Sequence, residues 1–164
     1  MLILKSSQYW SLMNELKKLN KLEKEMLFKA PAYVSLLAAN ADGKLDATEK
    51  KVAIKFAHFK SRSCHPMLKQ YRKEVDKVFR INIEELDKVL PMGKVKREYA
   101  IRRELIKLEP ILAKLGREYS AALHSGLVTY INRVSKAHIS KLEAIFFPMY
   151  IKVFTTWKTK RNDK

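Results

Sequence analysis

"KVKREYAIRRELIKLEPILAKLG", Lys94 to Gly116, decides how this chain folds, because its apolar residues recur at helical rather than strand intervals. Ile101, Leu105, Leu108, Leu112 and Leu115 keep a four-three spacing, which lines them up along one side of a helix. Pro110 interrupts that seam. It has no N–H to give and its ring crowds the turn before it, so the spacing predicts a kinked or split helix there. Gly116 follows as a C-terminal stop.

Working outward, the same period continues in both directions. Tyr119, Leu123, Leu127, Tyr130, Ile131 and Val134 define a stripe on the C-terminal side, and Ser140 with Glu143 forms a capping pair that opens a last helix toward Trp157. On the N-terminal side, Asn82 with Glu85 reads as a cap that starts a short helix ended by "LPMG", after a helix from about Pro66 to Arg80. Tyr9, Leu12, Met13, Leu16, Leu19, Leu22 and Met26 face away from Lys17, Lys18, Lys21, Lys24 and Glu25, which predicts an amphipathic helix from Ser7 to Lys29. Pro31 reads as the first residue of the next helix, whose segment "PAYVSLLAANA" is almost uncharged and so expected to be buried on most sides. Another helix is expected from Asp46 to about Lys60. No stretch reads as a strand. The expectation is one compact all-α domain over residues 1–164, with seven or eight helices rather than a regular four-helix bundle.

Composition supports a folded and strongly cationic chain. With 34 Lys and Arg against 17 Asp and Glu, the formal charge is +17, while 47% hydrophobic residues exceeds what a disordered polybasic chain carries. Such a field attracts phosphate-rich or otherwise anionic partners. Cys64 is a lone cysteine and forms no internal disulfide; His65 beside it has no second pair at zinc-site spacing. The apolar run before Lys5 is too short for a signal-peptide core, and no uncharged run approaches the roughly 20 residues of a membrane span, so a cytoplasmic location is expected.

One acidic turn stands out against this basic background: "AANADGKLDATEKK", Ala38 to Lys51. Placing Gly43 sixth in an EF-hand register puts Asn40 third, Asp42 fifth, Asp46 ninth and Glu49 twelfth, but the first position is Ala38 and supplies no ligand oxygen. A structural reading accounts for the same residues. Asp42 and Gly43 make a turn, Leu45 a hydrophobic staple, and Asp46 with Glu49 a capping box. A weakly bound divalent cation at Asp42, Asp46 and Glu49 remains compatible with that geometry.

The stretch "LLAANADGKLDATEKKVAIKF" resembles the tellurite-resistance TerB family over about residues 34–59. The likeness lies in a hydrophobic helix, Ala-Asp-Gly, a hydrophobic residue, a capping acid and a glutamate in the next first turn. The resemblance implies an all-helical bacterial protein, cytoplasmic or membrane-peripheral, that acts in stress response as an interaction module without catalysis, with divalent metal on Asp42, Asp46 and Glu49. "VSKAHISKLEAIFF" aligns with this motif through Ile139, Ser140 and Glu143 but lacks the Asp-Gly turn, as a degenerate internal duplication of a helix pair would.

The densest charge imbalance runs from Lys50 to Lys73, where Lys50, Lys51, Lys55, Lys60, Arg62, Lys69, Arg72 and Lys73 occur with no acid between them. Helical spacing groups Lys51 with Lys55, and Lys69 with Arg72 and Lys73, as phosphate contacts or as a solvated face. No base-reading signature accompanies them. At the C-terminus Phe146, Tyr150, Phe154 and Trp157 share a helical side ahead of Lys158, Lys160 and Arg161, which reads as core or as an anchor on an anionic membrane. His58, His65, His124 and His138 show neither metal spacing nor a nucleophile motif, and no glycine loop cradles phosphate, so no small-molecule chemistry is indicated. Two readings follow: a TerB-like module with a protein partner, and a small basic protein that binds nucleic acid through sequence-independent phosphate contacts.

Overall fold

The computed structural model describes residues 15–39 and 65–134. Among them every regular element is helical, and none is a strand. A 3-10 turn at Glu15–Lys18 leads to α1 (Lys21–Ala39). A second 3-10 turn, Pro66–Leu68, leads into α2 (Lys69–Val89). Then come α3 (Lys94–Ile106), α4 (Glu109–Leu115) and α5 (Arg117–Val134). The all-α class therefore holds for the described residues. The capping pair Ser140–Glu143, the helix expected from Asp46 and the aromatic C-terminus lie outside them.

Helix boundaries differ from the sequence reading in two places. First, α1 begins at Lys21, inside the helix expected from Ser7, a residue that lies outside the described ones, and it runs straight through Pro31. Its start is fixed by a reciprocal capping box: Glu23 N–H donates to Asn20 Oδ1, and Asn20 N–H donates to Glu23 Oε2, both at 2.9 Å. Pro31 leaves the Leu27 carbonyl without its helical donor, and Tyr71 of α2 replaces that donor with its hydroxyl at 3.2 Å. Second, Asn82 does not cap a helix. It is a buried residue within α2, which continues unbroken to Val89 before Leu90 turns extended ahead of Pro91.

Other expectations hold. As far as Ala38 the segment from Pro31 is buried on most sides, with Ala32, Val34, Ser35, Leu36, Leu37 and Ala38 all inside, so α1 serves as the central helix of the described residues. Its small residues let α2 lie close, and α1 with α2 is the most extensive pairing. The facing stripe of α2 is Tyr71, Val75, Phe79, Ile83 and Leu86. Phe28 packs tilted on Tyr71 at 6.0 Å, and Phe79 meets Tyr130 of α5 edge-on at 6.3 Å. Pro110 splits the Lys94–Gly116 stretch into α3 and α4, yet both pieces keep the seam: Ile101, Leu105, Leu108, Ile111, Leu112 and Leu115 are all buried. Gly116 ends α4 at φ +85, a conformation that an L side chain resists. Ser120 then donates to the Leu112 carbonyl at 2.8 Å and closes the α4–α5 corner. Where α5 crosses the start of α2, a Cβ on Gly126 would stand 3.2 Å from Leu68 Cδ1.

Candidate functional site

Of the residues that the sequence marks as sites, Lys69, Arg72 and Lys73 are described. Asp42, Asp46 and Glu49 lie outside the described residues, as do Lys50, Lys51, Lys55, Lys60 and Arg62. The three basic residues do come together. They occupy the first turns of α2, with Lys69 and Lys73 exposed and Arg72 half-buried, and the first turn holds no acidic residue. Its backbone dipole is positive at that end, so the helix adds to the cationic potential there. His65 supports the approach, accepting the Met67 N–H on Nδ1 at 3.4 Å in the 3-10 turn.

Farther along α2 and α3, four carboxylates are occupied by their own neighbours, while Glu85 stands exposed. Glu74 pairs with Lys77 at 2.8 Å, Glu84 with Arg80 at 3.1 Å, Glu98 with Arg102 at 2.8 Å and Glu104 with Lys107 at 2.7 Å. Such helix-surface pairs are each worth only a few tenths of a kcal/mol, but they neutralise the acids locally. Lys69, Lys73, Lys88 and Lys96 stand exposed around them.

A further surface feature was missed from sequence. The corner between α2 and α3 exposes Val89 at 75%, Met92 at 64% and Val95 at 80% of their surface, and the outer side of α3 adds Tyr99 at 69% and Ile106 at 54%. At about 100° per residue, Val95, Tyr99 and Ile106 fall within roughly 40° of one another, on the side of α3 away from buried Ile101 and Leu105. Arg103 and Lys107 are exposed beside that line, as is Lys96. The missed signal was a second apolar series at positions 95, 99 and 106, hidden beside the core seam at 101, 105 and 108. The corner itself is held in shape. Gly93 takes φ +92, Leu90 is buried, and buried Arg97 forms an ion pair with the Asp87 carboxylate while donating from Nη1 to the Asp87 carbonyl at 3.5 Å.

Inside the bundle, the titratable groups have structural partners. Ser35 Oγ donates to the Pro31 carbonyl at 2.8 Å and lies 2.7 Å from Tyr130 Oη. Burial pushes the Tyr130 phenol up to about 12, with the Ser35 hydrogen bond pulling the other way. Burial likewise raises Tyr71 well above its ordinary value. Among the described residues no three His, Cys, Asp or Glu side chains gather as a metal-ligand set. No helix among them is long and apolar enough to cross a membrane. No family model, curated protein or solved structure matches this chain.

Proposed function

We propose that this chain is a non-catalytic helical interaction module that meets an anionic partner surface. The observation that carries the reading is the asymmetry of its charges. Along α2 and α3 four carboxylates are tied to adjacent cations, while Lys69, Lys73, Lys88 and Lys96 are exposed, in a chain whose formal charge is +17. The resemblance of the acidic turn to the TerB family extends the proposal: a stress-response module of that kind, seven or eight helices in all, with Asp42, Asp46 and Glu49 as a weak divalent-cation site. An affinity pull-down from the native cell, with and without nuclease and across a salt series, tests it. Salt-sensitive, nuclease-resistant capture supports the module. Capture that disappears with nuclease supports the second reading, a sequence-independent nucleic-acid binder, which the grouping of Lys69, Arg72 and Lys73 at the positive end of α2 favours.

A further inference from the structure

We infer that the α2–α3 corner and the outer face of α3 form a docking surface for an anionic lipid bilayer; the inference rests on the anionic-partner reading above. Three exposed apolar side chains, Val89, Met92 and Val95, stand within seven residues of chain, and Tyr99 and Ile106 continue them for roughly 16 Å along α3 at 1.5 Å per residue. Water gains nothing from covering such a strip, so its exposure marks a surface meant for something apolar. Exposed cations frame it: Lys88 on the α2 side, Lys94 and Lys96 in the first turn of α3, then Arg103 along one flank. Of the carboxylates on this stretch, Asp87 is held by Arg97, Glu98 by Arg102 and Glu104 by Lys107, while Glu85, one turn before Val89, is exposed among these cations.

This combination selects among partners. A second copy placed symmetrically on the strip would bring the same lysines against each other, on two chains of +17 each. Nucleic acid would satisfy the lysines but leave Val89, Met92, Val95 and Ile106 with nothing to bury against, since bases stack on aromatic rings and Tyr99 is the one ring here. An anionic bilayer answers both halves: apolar side chains enter the headgroup–acyl boundary while lysines remain at the level of the phosphates. The corner arrives preformed, because Gly93, buried Leu90 and the Arg97–Asp87 pair fix it against α2, so docking costs little ordering.

The test is sedimentation of the full chain with vesicles of phosphatidylcholine alone or mixed with phosphatidylserine, its folding checked by circular dichroism. The wild-type chain is expected to partition onto the mixed vesicles and far less onto the neutral ones. Met92→Ser with Val95→Ser should lower that partition by about tenfold or more, as loss of two inserted apolar side chains requires. Lys88→Glu with Lys96→Glu should lower it comparably and flatten its salt dependence. Leu22→Ser, an exposed leucine on α1 beside Glu23, should change nothing. Equal binding by the serine double variant and the wild type overturns the inference while leaving the anionic-partner reading intact. So does binding to duplex nucleic acid without binding to vesicles, or a wild-type dimer that Val95→Ser dissolves. Binding to no anionic surface of either kind overturns both.

Discussion

A single hydroxyl reconciles a proline with the middle of a helix in this protein. Pro31 removes the donor that the Leu27 carbonyl needs, and Tyr71, 44 residues along the chain, supplies one at 3.2 Å. Tyr71→Phe should therefore leave a buried carbonyl unmet and cost about 1–3 kcal/mol in urea denaturation. In a Pro31→Ala background the restored N–H takes that carbonyl, so the same Tyr71→Phe change should cost distinctly less; equal costs in both backgrounds would refute the pairing. The buried phenols also set a pH dependence. Tyr130 is raised from 10.0 to about 12 in the folded chain, so between those values the unfolded chain loses its proton first. Stability contributed by this group is complete below about pH 10 and declines as pH rises toward 12. Tyr130→Phe should flatten the alkaline decline measured by denaturant titration. An unchanged slope would count against the burial.

At the scale of elements, starts and stops are set by few atoms, which is why some were legible and others not. Gly116 was readable because left-handed backbone favours glycine whatever surrounds it, and Gly116→Ala should cost about 1–2 kcal/mol by thermal melting. The break at Pro110 was readable for the same kind of local reason. Asn20 was passed over, although Asn20 and Glu23 have capping-box spacing, because the apolar period of Tyr9 to Met26 ran across them. Asn20→Ala should cost about 0.5–2 kcal/mol, and an unchanged melting curve would mean that α1 starts elsewhere. Pro31 and Asn82 misled for a different reason. What makes each tolerable is tertiary: a tyrosine on another helix for the proline, burial within the bundle for the asparagine. The double character of α3 was concealed likewise. Its two apolar stripes blur each other in a periodicity count, and only burial separates the core seam from the exposed line of Val95, Tyr99 and Ile106.

Across the whole molecule, core and surface have separate tasks. Among the described residues the core is one helical assembly around α1, joined to α5 by Ser35 and Tyr130, residues 95 apart in sequence, and to α4 by the Lys114–Glu23 pair. The Asn20 backbone and Lys114 together hold the Glu23 carboxyl below its ordinary range, Lys114 contributing most. The all-α class and the basic surface could be read from composition, because both are sums over many residues. The docking corner could not, because it depends on which apolar side chains the core leaves outside. The central claim is that the exposed cations serve an anionic partner. Binding of the full chain to phosphatidylserine vesicles and to a short duplex, measured side by side over a salt series, addresses it most directly. Steep weakening with salt on at least one of these surfaces, with the vesicles preferred, is the predicted result; no binding to either at low salt would contradict it.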